Sequence, residues 1–300
     1  MKRETAVGLL QINVATILFG LAGVLGKVSG LPAPLITLGR VVFGGITLAL
    51  FAGVTRPQVR PQSRRDAFLL LAQGLILAVH WTAFFESIAV SSVAIGLLSF
   101  SSFPLFTAVL EPLLLSQRPR RIEVVAAALI LVGVYVLAPN LSLSNGVTQG
   151  VVWGLGAGAT FALLSVINRG LVRRYPAVTV SLYQDGVAAV ALLPSLLFFP
   201  VSGALTIRGL SSLVTLGVLC TALAHTLFVA GLRQTRAQTA SLIAALEPVW
   251  GILFALVLVA EAPSARTLVG GVIIVAATLL PGLLPERPEA RARPADTTNG

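Results

Sequence analysis

Ser241-Leu242-Ile243-Ala244-Ala245-Leu246-Glu247-Pro248-Val249-Trp250 has an echo earlier in the chain, Leu97-Leu98-Ser99-Phe100-Ser101-Ser102-Phe103-Pro104-Leu105-Phe106. In each, a proline stands part-way along a long apolar run. Carrying the Pro104-to-Pro248 offset along without a gap also pairs Thr82 with Thr226, Phe84 with Phe228, Leu98 with Leu242, Gln117 with Glu261 and Pro119 with Pro263. A slightly shorter offset aligns the starts of the halves: Gly8 with Gly150, Phe19 with Phe161, Lys27 with Arg169, Pro34 with Pro176. A fixed offset of nearly half the chain means two similar halves.

The composition says what those halves are made of. Of 300 residues, 56% are hydrophobic and 11% charged, against roughly 25% charged in soluble domains. The apolar residues fall in blocks of about 20, the length that spans a bilayer as a helix. The reading is an all-α polytopic membrane protein. Its spans are expected at residues 6–27, 33–54, 67–89, 93–115, 122–139, 147–168, 177–199, 210–231, 238–259 and 266–284. The first run lacks an A-x-A-type cleavage site and is read as a retained helix. The segment 285–300 is rich in Pro, Arg and Glu and is expected to be a disordered cytoplasmic tail. One cysteine, Cys220, excludes an internal disulfide and a cysteine metal cluster.

Charge sets the orientation. With ten spans and a cytoplasmic N-terminus, only Lys27, Arg208 and Arg266 of the 21 basic residues fall in outside segments, and Arg40 falls within a span. Cytoplasmic segments carry the excess of Lys and Arg, so both termini are expected inside, in a bacterial inner membrane. The net charge of +10 is then topology, and no nucleic-acid partner is implied. Each half, 1–140 and 141–284, has an odd number of spans. The second therefore crosses in the opposite sense, as an inverted five-helix repeat, an arrangement typical of secondary transporters.

Two five-helix halves resemble the EamA-type branch of the drug/metabolite transporter superfamily. So does the order of small residues, Pro248, about a dozen apolar residues, Glu261 and the Gly270-Gly271 pair. The first half departs from that order, with Gln117 in place of Glu and Ala126-Ala127 in place of the glycines. Within the branch the chain looks most similar to bacterial amino-acid exporters of the YddG type. The resemblance implies a small-molecule substrate, amino acids first, exported by alternating access without a cofactor. A nucleotide sugar, a drug cation and a membrane-embedded enzyme are the alternatives.

Charged side chains in a bilayer usually face the protein interior and mark function. Arg40, His80, Glu86, Glu111, Asp185, His225 and Glu247 fall in the apolar runs. Gln73, Leu77, His80, Phe84 and Ser87 share one helical face, so His80 either lines a cavity or bonds a neighbouring helix. Trp81 points about 100° away from it. Asn13 stands on a stripe of small residues. Ser101 and Ser241 belong to the small faces that include Pro104 and Pro248. Each proline frees the carbonyl four residues back, Phe100 or Ala244, for substrate binding or for gating. Tyr183, Gln184 and Trp250 complete the candidate contacts, with Glu247 as ammonium anchor or proton carrier. Arg40 either holds a substrate carboxylate or pairs with Glu86.

Gly20 to Lys27 is superficially like a phosphate-binding loop, but the glycine spacing is one residue too long and Val28 stands where Ser or Thr is needed. Transport is therefore expected to be secondary. No metal site is expected.

Overall fold

The computed structural model describes residues 3–115, 121–138, 142–232 and 243–283, and every regular element among them is helical. The first half holds α1 (Arg3–Ser29), α2 (Ala33–Thr55), α3 (Arg64–Val90), α4 (Val93–Phe100), α5 (Phe103–Leu115) and α6 (Arg121–Leu137). The second holds α7 (Gly146–Leu171), α8 (Ala177–Leu192), α9 (Ile207–Gly217), α10 (Ala224–Leu232), α11 (Glu247–Val259) and α12 (Ala265–Leu283). A π-helical turn, Val218–Leu223, joins α9 to α10.

Local chemistry explains several starts. Ser63, Ser92, Asn145 and Thr206 precede α3, α4, α7 and α9, and their side chains accept from the N–H groups of Asp66, Ile95, Val147 and Gly209. These bonds satisfy donors that a helix start leaves open. The ends of α2 and α11 are closed by left-handed residues, Arg56 and Ala260.

Among the described residues, seven segments are long and apolar enough to cross a membrane. The shortfall against the ten expected has local reasons. α11 starts only after the turn at Ala245–Leu246, and residues 233–242 before that turn lie outside the described residues. Pro281 interrupts α12, and the 17-residue α6 begins on Arg121 and Glu123. The apolar side chains facing outward agree with a lipid surround: Phe68, Leu71, Leu75 and Val79 form an exposed stripe on α3. The opposite stripe, Gln73, Leu77, His80, Phe84 and Ser87, is buried, as its spacing predicts.

The prolines do more than kink a continuous helix. The chain turns at Ser101–Ser102, and Pro104 is the second residue of α5. It turns again at Ala245–Leu246, and Pro248 is the second residue of α11. The two breaks occupy corresponding places in the halves.

Packing runs across the halves. α3 lies on α7 and α8, α4 and α5 on α7, α1 on α9, α10 and α11, α2 on α8 and α9, and α6 on α12. Glycines permit the closest approaches. Gly150, Gly154 and Gly158 recur every four residues on α7. Added Cβ atoms there would lie 3.1 Å from the Ser87 carbonyl, the Ser87 hydroxyl and the Phe100 carbonyl respectively. Small residues at this spacing let membrane helices meet backbone to backbone.

Candidate functional site

Arg40 is the centre from which the site is built. It lies on α2 and is buried. Its Nε donates to Thr221 Oγ1 at 2.7 Å, and its Nη2 donates to the Cys220 carbonyl at 3.2 Å. The π-helical turn makes this possible: Thr221 Oγ1 donates in turn to the Leu216 carbonyl, five residues back, at 2.9 Å. The wider turn thus presents a carbonyl and a hydroxyl together to a side chain from the other half. Such turns recur at functional sites. The guanidinium also lies over the Trp81 ring of α3, 3.9 Å from its centroid. The two hydrogen bonds of Arg40 cross to the other half, and its ring contact stays within its own.

Around this pair, Leu48, Trp81, Ser181, Gln184, Asp185, Thr221 and His225 line a cavity of about 10 Å³. Asp185 is buried on α8. A Cβ on Gly44, one turn beyond Arg40 on α2, would stand 3.1 Å from Asp185 Oδ2 and 3.0 Å from Thr221 Cγ2. The glycine therefore makes room for the carboxyl. Gln184 donates to Gln73 Oε1 and, at 3.3 Å, to Asn168 Oδ1. His225 of α10 meets Trp81 edge-on at 6.3 Å and Phe19 at 5.3 Å. Glu247 stands at the start of α11.

Of the residues singled out from sequence, Trp81 and Gln184 therefore line one cavity. His80 is adjacent but turned to the other side. Its Nδ1 bonds the Ala157 carbonyl at 2.9 Å, and Phe100 and Phe161 flank its ring at 5.6 and 5.5 Å. Glu247 and Trp250 sit at the crossing of α11 with Gly20 of α1: a Cβ on Gly20 would be 2.9 Å from the Glu247 carbonyl and 2.9 Å from Trp250 Cβ. Asn13 donates to the Leu9 carbonyl of its own helix at 2.8 Å. Ser101 donates to the Leu97 carbonyl at 2.9 Å, and its own carbonyl accepts from Thr278 of α12 at 3.3 Å. Tyr183 packs against the Leu70, Leu171, Tyr175 and Val180 cluster. Pro104 and Pro248 start helices as described. Ser241 lies outside the described residues. Arg40, Asp185 and His225 carried the signal of rare charge within apolar runs. Thr221 carried none, because one threonine in such a run is unremarked until the helix widens there.

Two clasps close the bundle, one near each end. At one, Glu261 ties three helices: Lys27 of α1 pairs with its Oε2, and the Val93 N–H of α4 donates to its Oε1 at 2.7 Å. At the other, Asp66 of α3 accepts from Arg174 at 2.5 Å and from the Tyr175 hydroxyl at 2.8 Å. Each clasp joins one half to the other.

An all-helical, multi-pass membrane protein with charged and polar groups buried where its halves meet has the architecture of a membrane transporter. The chain belongs to the EamA-like transporter family, which it matches over residues 6–138 and 148–282. It is 25% identical over 281 residues to the "Uncharacterized transporter YwfM" of Bacillus subtilis (strain 168), covering 93% of this chain and 94% of that protein. It is 26% identical over 275 residues to an "Uncharacterized transporter" of Archaeoglobus fulgidus, covering 91% of this chain and 95% of that protein. A solved crystal structure, at 21% identity, superposes with a TM-score of 0.66 over 93% of this chain and 97% of that one, a likeness of fold alone. The family and relatives point to transport rather than catalysis.

Proposed function

We propose that the chain is a secondary exporter of small metabolites, amino acids first, which works by alternating access across a bacterial inner membrane. Ten spans form two inverted five-helix repeats, residues 1–140 and 141–284, with both termini cytoplasmic.

The observation that carries this reading is the pattern of helix contacts. Exchange the halves, so that α1 swaps with α7, α2 with α8, α3 with α9–α10, α4–α5 with α11, and α6 with α12. The packing of α3 on α7 then becomes that of α1 on α9 and α10. The packing of α4 and α5 on α7 becomes that of α1 on α11, and that of α3 on α8 becomes that of α2 on α9. The pairs α2 with α8 and α6 with α12 map onto themselves. Such exchange is what a two-fold relation between halves produces. Odd-numbered halves put that axis in the membrane plane, and rocking one repeat against the other then exposes the site to either side in turn.

The polar groups suit a zwitterion. Arg40 offers a guanidinium for a carboxylate, Glu247 an acceptor for an ammonium, and Trp81, Phe85 and His225 an aromatic wall. A wall of this kind discriminates weakly, since one methylene in an apolar pocket is worth about 1–3 kcal/mol. Several neutral amino acids are expected to compete.

The test is counterflow into proteoliposomes against a panel of radiolabelled amino acids, sugars and organic cations. Exchange of neutral amino acids supports the reading. A panel in which only a sugar or a cation exchanges, or a product chemically altered on passage, defeats it.

A further inference from the structure

Asp185 is a buried acid for which substrate recognition has no use. It is 2% exposed, and its Oδ2 has no hydrogen-bond partner in the structure. The charged and titratable groups at it come from two of the helices around it. They are Arg40 on α2, whose charge acts on the carboxyl, and His225 on α10, which shares its cavity. Arg40 acts on it by charge alone: the hydrogen bonds of the guanidinium go to Thr221 and the Cys220 carbonyl, and none reaches Oδ2. A buried carboxyl oxygen without a donor is costly in an apolar interior. Something small has to meet it.

The cavity sets the size of that partner. Its roughly 10 Å³, shared by Trp81, Ser181, Gln184, Asp185, Thr221 and His225, is room for about one water. An amino acid does not fit beside Asp185 in this conformation. A metal cation fits poorly for a different reason. The Arg40 charge acts on the same carboxyl, and Thr221 Oγ1 is already committed to the Leu216 carbonyl and to Arg40. The remaining partner is a proton, delivered and removed through water.

We propose that Asp185 is the proton-binding residue of the transport cycle. The carboxylate takes one proton from water on one side of the membrane and becomes the neutral acid. When the halves rock, it gives that proton to water on the other side as substrate moves the opposite way. No bond other than O–H forms or breaks. The transport direction rests on the reading given above; the proton site does not.

Infrared difference spectroscopy on the full-length protein in detergent tests the site without a substrate. A pH step is expected to give a carboxyl carbonyl band that vanishes in Asp185→Asn and persists in Glu247→Gln. Gly44→Ala, which crowds Oδ2 but keeps the acid, should move the pH at which the band appears. That variant serves as the second reading should Asp185→Asn fail to fold by size exclusion. A band unchanged in both Asp185→Asn and Gly44→Ala overturns the proposal.

Proteoliposomes then test the coupling. One pH unit can drive up to about tenfold accumulation at one proton per substrate. That accumulation ratio should fall to about one in Asp185→Asn. A ratio unchanged in the variant, or one driven by a sodium gradient alone, also overturns it. If wild-type protein moves no amino acid, the transport reading fails and the infrared band still decides the proton site.

Discussion

The guanidinium carbon of Arg40 lies 3.9 Å from the centroid of the Trp81 ring, and the same guanidinium bonds Thr221 and Cys220 of the other half. One side chain thus links α2, α3 and the π-helical turn. A desolvated cation over an indole contributes about 2 kcal/mol. Trp81→Leu is expected to lose roughly that much thermal stability in detergent and to slow counterflow. Arg40→Lys should do worse, because a point-charge ammonium cannot serve two acceptors and stack at once. Wild-type melting and rate in both variants would show that the stack does nothing.

Gly20 tests the crossing of α1 with α11. A Cβ there would stand 2.8 Å from the Gly251 nitrogen and 2.9 Å from the Glu247 carbonyl, and backbone cannot swing aside as a side chain can. Gly20→Ala should therefore cost about 1–3 kcal/mol by overpacking. Gly156, exposed on α7 with nothing within 4 Å of an added Cβ, is the control. Gly156→Ala should be neutral or slightly stabilising. Equal melting temperatures for the two variants would contradict the close crossing.

These residues also mark where the sequence could be read and where it could not. The offset between Pro104 and Pro248 was visible, and the helix breaks at Ser101–Ser102 and Ala245–Leu246 fall where it leads. Apolar length located seven long segments, but it did not show that the run from Val93 divides into α4 and α5. The inward face was harder to find. In a bilayer the outer face is apolar too, so the contrast that marks the buried side of a soluble helix fades. On α3 the polar spacing led to His80, which is buried against α7, while its neighbour Trp81 turns to Arg40. No local pattern separates two adjacent residues that serve opposite sides of one helix. The π-helical turn at Thr221 was equally silent, and the residue that bonds its threonine stands 181 positions away.

The clasps give a prediction about access. Asp66 with Arg174 and Tyr175 closes one end, and Lys27 with Glu261 closes the other. Cys220, the single cysteine, is buried and is a built-in reporter. Asp66→Asn should raise Cys220 labelling by an impermeant maleimide from one side of sealed vesicles, and Lys27→Gln from the other. Pairing Asp66→Asn with Arg174→Gln should harm stability less than the first change does alone plus the second, since contacting partners are not additive. Labelling from the same side in both variants would mean that the clasps are not gates.

The last prediction concerns how the chain crosses the membrane. Among the described residues seven segments meet the length and hydropathy of a span outright; α6 and α11 are shorter, and the apolar run of α12 reaches only to Pro281. The ten-span reading requires all three to cross as well. Charge supports it: a missed span would mix Lys27, Arg208 and Arg266 with the basic residues of the cytoplasmic segments, which near-span charge normally avoids. Lys27 and Arg174 then belong at opposite faces, as the two clasps require. Ser144 falls between the fifth and sixth spans, and Gly300 follows the tenth. Reporters fused after these two residues, one active only in the cytoplasm and one only outside it, should therefore read opposite sides, with the reporter after Gly300 cytoplasmic. The same side for both would leave an even number of crossings between them, and the inverted repeat could not stand.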